Sequence, residues 1–412
     1  MTTIAYLLPF VYNLLDKNKP ETLNKEEFSR WLTGFIDGEG NFQVFMDRVY
    51  LRVMFRIRLH IDDIGALYNI KEFLGIGRII KDGDSCVFII SNVNDLINVL
   101  FPLIDNYKLF TTKWLDYNDF IKSVAMYLSK SNTTSLLGHP SLSDWAKAII
   151  SGMNSSRTVY NYSNIPLIEI NPYWLLGFIE AEGTFGIKNM IPYFQLGQHN
   201  RNLPVLRSIA LFLNSLPKSF FYSIYTTNVK VSEALNKRTG VTVISINNID
   251  TLYDYLLFFL LTMPFQTRKK DDFLFWCIVL HLHKWGFIYL SEGLELVHKI
   301  SLYINKNRYS NSSNIAELPS LDSIKKVLKL PLTIPLTPEM RHTDLGQAYS
   351  RINKIKSIWV YNNGKLIGGS PFSSQAAALS AIGYPKSSKV IRMSINTGKL
   401  IGYCYTFYSN PL

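Results

Sequence analysis

Residues 31–42 read WLTGFIDGEGNF and residues 174–185 read WLLGFIEAEGTF, so the pattern W-L-x-G-F-I-[DE]-[GA]-E-G-x-F occurs twice in this chain of 412 residues. The matching glutamates, Glu39 and Glu182, lie 143 positions apart. A second pattern, T-x-K-x-x-D-[YF], follows each copy at residues 111–117 and 267–273. Two patterns repeated in the same order predict two homologous domains, because an internal repeat marks a duplicated structural unit.

The residues before each copy predict a helix that runs through the pattern. Asn24, with Glu27 three positions later, forms an Asn variant of the capping box, and this helix is expected to end near residue 38. Asn171, followed by a proline, gives the second helix its N-cap. The glycine after each helix, Gly40 or Gly183, predicts a C-cap.

Strand signals follow the first helix. Residues 52–61 alternate between polar and apolar side chains, which is the period of a half-buried strand. A helix is expected over 65–74, and then two strands, 78–81 and 85–90, joined by a turn at Asp82-Gly83. A helix over 113–128 closes this half, and residues 186–310 repeat the plan less clearly.

These patterns predict the domain boundaries. The first domain spans 25–135 and the second spans 171–310. The stretches 136–170 and 311–350, rich in Ser, Asn, Pro and Thr, are interpreted as linkers. Residues 351–412 form a third, smaller unit.

The composition restricts the class of protein. Lys and Arg number 43 against 31 Asp and Glu, so the net charge is +12 and a nucleic acid or an anionic membrane face is the favoured partner. No run reaches the ~18 apolar residues of a membrane span. Residues 1–15 have the features of neither a signal peptide nor an Arg-rich transit sequence. The three cysteines are too widely spaced for a disulfide scaffold or a cysteine zinc site.

The nonapeptides LTGFIDGEG at 32–40 and LLGFIEAEG at 175–183 resemble the motif of the LAGLIDADG homing endonucleases and maturases, in the form with two motifs in one chain. The resemblance covers residues 25–310. It implies an α+β fold of two pseudo-symmetric αββαββα domains with saddle-shaped antiparallel sheets. It also assigns the catalytic acids to Glu39 and Glu182.

Small residues predict that the two motif helices pack on each other at the domain junction. The residues that give the helices bare faces are Gly34, Gly38, Gly177 and Ala181. This packing would place the two motif glutamates together, where they repel each other unless a hard divalent cation lies between them. Mg²⁺, with Mn²⁺ as a substitute, fits carboxylate oxygens and can activate water for phosphodiester hydrolysis.

Four further residues are weighed for the same site. Gly38 and Ala181 directly precede the two glutamates and are assigned to the metal site with them. Asp37 and Glu180 are left outside it and are expected to form hydrogen bonds near the helix ends.

Lys113 and Lys269, from the second repeated pattern, are candidate catalytic residues. A lysine beside a metal-bound water can orient that water or stabilise charge in the transition state. Contact of each lysine with a DNA phosphate is an equally open alternative. Arg268 and Lys270 are rival candidates in the second half.

Basic strand residues predict a DNA-binding face. The residues assigned to it in the first half are Arg52, Arg56, Arg58 and His60, opposite an apolar face. Gln195 and Gln198, near Tyr193, His199 and Arg201, occupy the equivalent stretch of the second half. Arginine can read guanine and glutamine can read adenine in the major groove. A solvated strand face is the alternative.

The C-terminal stretch 345–412 carries eight Lys or Arg residues and no acid. Residues 358–361 and 365–367 flank Asn362-Asn363-Gly364, which predicts a hairpin. Residues 374–382 and 387–394 predict two helices separated by a turn at 383–385. This pattern resembles the small modular DNA-binding domains of homing nucleases, with Lys386, Lys389 and Arg392 as contacts. Packing of the module on the core is the alternative.

Together these features predict a monomeric, metal-dependent endonuclease that makes a staggered, site-specific break in double-stranded DNA. The alternative from another class is a maturase that binds group I intron RNA and assists its folding, and one chain can combine both roles. Richness in Asn, Ile, Lys, Tyr and Phe is typical of AT-rich organellar genes and suggests a mitochondrial location.

Overall fold

The structure is a computed structural model, and it describes residues 23–48, 50–129, 140–217, 228–232, 240–305, 317–337, 340–352, 357–385, 391 and 394–412. The chain forms two compact units, Met1–His342 and Thr343–Leu412. In these ranges no helix is long and apolar enough to cross a membrane.

The first half of the larger unit has the predicted order of helices and strands, with one helix more. Its elements are α1 (Lys25–Glu39), β1 (Gly40–Asp47), β2 (Tyr50–His60), α2 (Ile64–Leu74), β3 (Arg78–Asp82), β4 (Ser85–Ile90), α3 (Val93–Asp95, a π-helical turn Leu96–Leu100, and Phe101–Tyr107) and α4 (Lys113–Ser129). Helix α3 was not predicted from the sequence. The sheet has the order β1-β2-β4-β3, and all its neighbouring pairs are antiparallel.

The second half repeats this plan after α5 (Pro140–Gly152). Its elements are α6 (Pro172–Glu182), β5 (Gly183–Lys188), β6 (Ile191–His199), α7 (Leu203–Ser215), β7 (Val231–Ser232), β8 (Val241–Ile246), α8 (Ile249–Thr251, a π-helical turn Leu252–Leu256, and Leu257–Leu261), α9 (Lys269–Lys284), α10 (Ser291–Tyr303) and α11 (Leu321–Leu328). The antiparallel sheet order β5-β6-β8-β7 matches that of the first half. The α+β fold with two repeated domains is therefore confirmed.

The register of the sheets makes the two halves equivalent residue by residue. Phe55 in β2 pairs with Ile90, and Phe194 in β6 pairs with Ile246. Residue n of β2 therefore corresponds to residue n+139 of β6, so that His60 corresponds to His199. The predicted hairpin is confirmed, because Asp82 pairs with Ser85 across a turn that contains Gly83.

The starts of the motif helices are as predicted, but the reason for the terminal glycines differs. The Asn24 side chain accepts a hydrogen bond from the Glu27 amide, and the Glu27 carboxylate accepts one from the Asn24 amide. Asn171 caps α6. Gly40 and Gly183 have extended backbones rather than the left-handed C-cap conformation. A Cβ on Gly40 would lie 2.6 Å from Ile36 Cγ2, so glycine allows α1 to pass directly into β1.

The motif helices α1 and α6 pack against each other at the centre of one hydrophobic core shared by both halves. A Cβ on Gly34 would lie 2.0 Å from the Trp174 carbonyl oxygen, and one on Gly177 would lie 2.0 Å from that of Trp31. The four residues predicted for the helix interface lie in this contact: Gly34, Gly38, Gly177 and Ala181. Close backbone contact of this kind fixes the relative position of the two helix ends.

The stretches interpreted as linkers contain secondary structure. Residues 136–170 include α5 and two short 3-10 turns, Asn154–Ser156 and Tyr162–Asn164. Residues 311–350 include α11 and most of α12 (His342–Ile352). Polar composition did not reveal these helices, which have apolar residues on one face.

The unit Thr343–Leu412 contains β9 (Trp359–Asn362), β10 (Lys365–Leu366), α13 (Gln375–Ala381) and β11 (Tyr405–Tyr408), in a sheet of order β10-β9-β11. The β9–β10 hairpin and the first predicted helix are present, and β11 was not predicted. Most of the helix predicted at 387–394, and the three assigned contacts Lys386, Lys389 and Arg392, lie outside the described residues.

Candidate active site

The two motif glutamates lie together at the C-terminal ends of the packed helices. Glu39 is the last residue of α1 and Glu182 is the last residue of α6. A Cβ on Gly38 would lie 2.2 Å from Ala181 Cβ and 3.2 Å from Glu182 Cγ. The small residues before the glutamates therefore allow the two carboxylates to share one half-buried site.

Burial and like charge act together on the Glu39 carboxylate. Burial, and then the nearby Glu182 carboxylate, raise the pKa of Glu39 to about 6, against the opposing charges of Lys113 and Lys269. The pKa of Lys113 is lowered by burial, while Asp37 and the two motif glutamates act in the opposite direction. A site that raises the pKa of an acid through a second acid favours a bound cation.

The amino groups of the two lysines bind the ends of the motif helices. Lys113 Nζ donates to the carbonyl oxygens of Ile36 (3.0 Å) and Gly38 (2.7 Å). Lys269 Nζ donates to the carbonyl oxygens of Ile179 (3.3 Å) and Gly183 (2.6 Å). Each lysine therefore places its charge beside a motif glutamate, at the end of the helix where free carbonyls carry partial negative charge.

The other motif acids hold the loops that lead to these lysines. Asp37 accepts hydrogen bonds from the amides of Phe110 (2.7 Å) and Thr111 (3.1 Å) and from the Thr111 hydroxyl. Glu180 accepts equivalent bonds from the Gln266 amide and from the amide and hydroxyl of Thr267. The expectation that these acids bond near the helix ends is confirmed, and their role is to fix the start of α4 and of α9.

Each of these acids also binds the tryptophan of the opposite motif. Trp31 Nε1 donates to Glu180 at 2.5 Å, and Trp174 Nε1 donates to Asp37 at 3.1 Å. Burial raises the pKa of Asp37 to about 6, although the hydrogen bonds from Thr111 and Phe110 act against this change. The tryptophan that begins each motif copy thus donates a hydrogen bond to the buried acid, Asp37 or Glu180, of the other copy.

The aspartate of the second pattern, Asp116 or Asp272, binds an asparagine that lies further along the chain. Asp116 accepts from the Asn154 amide (2.8 Å), and Asp272 accepts from the Asn305 amide (2.8 Å). Both asparagines have positive φ, 54° and 62°. Asparagine tolerates this conformation better than most residues. Their side chains donate to the carbonyl oxygens of the phenylalanines that end the two motifs.

Two cavities flank the glutamates and combine residues of both halves. The first, of about 320 Å³, is lined by Glu39, Arg58, His60 and Asp63 from the first half and by Thr267 and Lys269 from the second. The second, of about 380 Å³, is lined by Gln198, His199 and Asn202 with Glu182 from the second half and by Thr111 and Lys113 from the first. Glu39 lines the second cavity as well. Each cavity thus has the strand end of one half and the lysine of the other.

The two glutamates supply too few ligands for a metal site made entirely of protein side chains, and this number of ligands suits Mg²⁺. Within the described residues, no group of three or more His, Cys, Asp and Glu side chains is arranged to hold a metal ion. Mg²⁺ is usually bound through one or two carboxylates and keeps water or substrate phosphate as its other ligands. Two glutamates beside open cavities meet that requirement. The Gly38 carbonyl oxygen accepts from Lys113 Nζ with one of its two lone pairs, so the assignment of Gly38 to the metal site stays a prediction.

The basic residues of β2 lie on its outer face. Arg52 forms an ion pair with Asp47 (3.4 Å), and Arg58 forms one with Asp82 (2.9 Å). Both arginines are exposed, whereas Arg56 is half-buried. His60 instead uses Nδ1 to accept from the Asp62 amide, capping the turn Ile61–Asp63.

The two glutamines of β6 do not share a face. Gln195 corresponds to Arg56 and lies on the outer face of the sheet. Gln198 corresponds to Leu59, and its Oε1 accepts from Asn202 Nδ2 at 2.8 Å in the second cavity. The two side chains point to opposite sides of β6, because an odd spacing reverses the side of a strand.

Two residues of the site were missed by the sequence analysis. Asp63 Oδ1 accepts from the Arg268 amide (3.2 Å), and Asn202 Oδ1 accepts from the Thr112 amide (2.9 Å). Both follow a strand-ending histidine by three positions, in the repeat H-x-x-[DN] at 60–63 and 199–202. This third repeated pattern was the available signal.

Comparison with known proteins agrees with this geometry. The LAGLIDADG endonuclease family model matches residues 32–124 and residues 175–280, so it matches twice. These are the two halves that carry the motif helices, the sheets and the lysines.

Named relatives include mitochondrial and intron-encoded proteins. The chain is 27% identical over 321 residues to the uncharacterized mitochondrial protein RF1 of Saccharomyces cerevisiae, covering 73% of this chain and 64% of that protein. It is 27% identical over 320 residues to the probable intron-encoded endonuclease 3 of Neurospora crassa, covering 71% of this chain and 57% of that protein. The chain thus spans roughly three-fifths of the length of these two relatives.

Solved structures share the fold. The I-LtrWI LAGLIDADG homing endonuclease bound to target DNA has a TM-score of 0.59 and 21% identity, with 69% of this chain and 99% of that chain covered. I-SmaMI, bound to uncleaved DNA target in the presence of calcium ions, has a TM-score of 0.55 and 21% identity, with 69% and 100% covered. These structures show the fold that the chain shares. The two matches of the family model, each over one copy of the repeated motifs, show that the chain belongs to the LAGLIDADG endonuclease family, with two copies of the family's domain.

Proposed function

We propose that this protein is a site-specific DNA endonuclease that cuts both strands of a long target by metal-dependent hydrolysis, with a staggered break. The observation that carries the proposal is the pairing of Glu39 and Glu182 at the ends of α1 and α6. Two carboxylates held together by backbone contact, each beside a half-buried lysine, are suited to metal-dependent phosphodiester hydrolysis. A nucleic-acid scaffold would not require both acids.

Glu39 and Glu182 would hold Mg²⁺ or Mn²⁺, with Ala181 beside them. The cation, when bound, supplies charge stabilisation at the phosphate and lowers the pKa of water. Lys113 and Lys269 would keep positive charge at the edge of each cavity, where negative charge develops on the phosphate. Their hydrogen bonds to the helix-end carbonyls orient them before DNA binds, so little reorganisation is needed.

DNA would lie across the outer faces of the two sheets. Arg52, Arg56 and Arg58 on β2, and Gln195 on β6, face the side on which base edges would be read. His60 and Gln198 line the cavities and would contact the target close to the cut phosphates. Because arginines dominate one half and neutral residues the other, the two half-sites of the target would differ in sequence.

The remaining features of the proposal concern organisation and location. The nuclease domains would be 25–135 and 171–310, joined by 136–170, and the segment 311–350 would connect them to a DNA-binding module at 351–412. One chain supplies both halves of the site, so a monomer would be sufficient. The similarity to mitochondrial RF1 supports action in mitochondria.

A maturase role for group I intron RNA remains the second function predicted from the sequence. RNA binding would not depend on the paired glutamates or on their lysines. Variants at the glutamates therefore separate the two functions, because they would abolish DNA cleavage and leave RNA-assisted splicing intact.

The test uses a supercoiled plasmid that carries the intronless host-gene junction. We expect the wild type to produce linear plasmid with Mg²⁺ and none with EDTA. Glu39→Gln and Glu182→Gln should each lose double-strand cleavage by at least about 10²-fold, with DNA affinity in calcium unchanged. Glu26→Gln, an exposed change on the same helix, is the matched control. Full cleavage by the double variant would overturn the assignment.

A further inference from the structure

The loops that carry the two lysines are bound from both halves of the protein. In the first loop, residues 110–112 are held by Asp37 of their own half and by Asn202 of the other. In the second, residues 266–268 are held by Glu180 of their own half and by Asp63 of the other. Each lysine loop is therefore bound by one residue of its own half and by one residue of the other half.

Asp63 and Asn202 occupy equivalent positions at the ends of the 3-10 turns Ile61–Asp63 and Asn200–Asn202. Both residues are buried, at 8% and 7% exposure. Each lies three residues after the histidine that ends β2 or β6, so its position is tied to the strand that would carry DNA contacts. A buried acceptor in such a turn holds an amide only in one geometry.

The amides that these residues bind lie directly before α4 and α9, the helices that begin with the two lysines. Arg268 precedes Lys269, the first residue of α9, and Thr112 precedes Lys113, the first residue of α4. A shift at either amide would move the lysine that follows it. Asp63 lines the first cavity together with Lys269, and Asn202 lines the second together with Lys113.

We infer that Asp63 and Asn202 are positioning residues, each of which holds the lysine loop of the opposite half in place. On the proposed nuclease function, which this inference deepens, each cavity is completed from both halves, and movement of one DNA-facing strand is transmitted to the lysine of the other half. The two cuts are then dependent on both domains.

The first measurement needs no catalysis. In Asp63→Ala, hydrogen exchange of amides 266–270 should become at least about tenfold faster, with amides 110–114 unchanged. Asn202→Ala should produce the reverse. Asp63→Asn and Asn202→Asp keep an acceptor oxygen and should restore exchange to the wild-type rate. This crossed pattern is specific to positioning, since general destabilisation would accelerate both loops.

Neighbouring residues provide matched controls. Asp62 pairs with the Arg268 side chain at 3.1 Å, so Asp62→Ala removes an ion pair and leaves the backbone bond. Arg201→Ala is the equivalent change in the other half. Neither should alter exchange of the loop amides. Arg268→Pro deletes the donor instead of the acceptor, and its φ of −65° is already suited to proline. If Asp63→Ala fails to fold, Arg268→Pro replaces it in the test and should show the same faster exchange of the second loop.

The second measurement follows the two DNA strands separately with end labels. Asp63→Ala should slow the cut of one strand at least about tenfold and Asn202→Ala the cut of the other, with DNA affinity unchanged. Exchange that is unchanged, equal in both loops, or faster in the loop of the same half would overturn the inference, as would crossed exchange with normal cutting of both strands. If the wild type cuts no DNA, the proposed nuclease function fails, and the exchange pattern still decides the role of Asp63 and Asn202.

Discussion

Replacement of Gly34 by alanine should separate the two motif helices. The added Cβ would lie 2.0 Å from the Trp174 carbonyl oxygen, whereas ordinary contacts begin near 3.4 Å. No rotamer change relieves a clash between a Cβ and a backbone, so α1 and α6 must move apart by more than about 1 Å. Overpacking costs about 1–3 kcal/mol, and the better helix propensity of alanine returns about 1 kcal/mol. Because only movement of whole helices relieves the clash, the cost lies at the upper end of that range, and we expect a net loss of about 2 kcal/mol.

The assay is thermal unfolding together with plasmid cleavage. Because the entropy of unfolding grows with chain length, a loss of about 2 kcal/mol in a unit of this size should lower Tm by about 3 °C. Gly177→Ala, whose Cβ would meet the Trp31 carbonyl at 2.0 Å, should behave alike. The cleavage rate should fall even at temperatures where the variant is fully folded, because the movement separates Glu39 from Glu182. Gly65→Ala is the matched control, since its Cβ meets nothing within 4 Å and should raise Tm slightly. A Tm within 1 °C of wild type for both motif variants would refute the reasoning.

Three other predictions concern acid stability, a strained turn and the C-terminal unit. Burial lowers the pKa of His281 to about 3, so the folded protein keeps it neutral while the unfolded chain protonates below about 6.5, and stability is lost as the pH falls. His281→Gln should therefore lose about 2 kcal/mol less than wild type between pH 7 and 5 in urea unfolding, and equal losses would contradict this. Asn154→Ala removes a hydrogen bond to the Phe42 carbonyl and imposes a φ of 54° on alanine, so denaturation should show a loss of about 1–3 kcal/mol, of which Asn154→Gly recovers part. Deleting 345–412 removes eight positive charges, and if three or four of them contact phosphates, at about 0.9 each, the slope of log K against log salt should shrink by about 3. The cleavage rate at saturation should be unchanged, and an equal slope would mean that this unit does not contact DNA.

Local signals predicted the elements that local chemistry determines. The capping box at Asn24, the N-cap at Asn171 and the turn at Gly83 all depend on neighbours within a few residues, and all are present. Helix α3 was missed because its apolar run contains Pro102, which disfavours a helix interior, yet here lies in the first turn of Phe101–Tyr107.

The parts that could not be predicted depend on contacts between distant residues. Asp63 meets Arg268 from 205 positions away, and Trp31 meets Glu180 from 149 positions away. Repetition indicated that Trp31 and Glu180 matter, but not which group each one binds, and the repeat that contains Asp63 was missed. The orientation of the lysines toward helix-end carbonyls likewise required the packing of α4 and α9 against the motif helices.

The exchanged tryptophan contacts have a consequence for how a duplicated chain can diverge. Trp31 supports an acid in the second copy and Trp174 supports one in the first, so a change in either copy is felt by the other. No hydrogen bond of this kind joins the outer faces of β2 and β6 in the described residues. The positions held by Arg52, Arg56 and Arg58 in β2 are held in β6 by Ile191, Gln195 and Gly197. In two copies joined in this way, the outer strand residues can be substituted independently, whereas the tryptophan and acid at the helix junction can change only together.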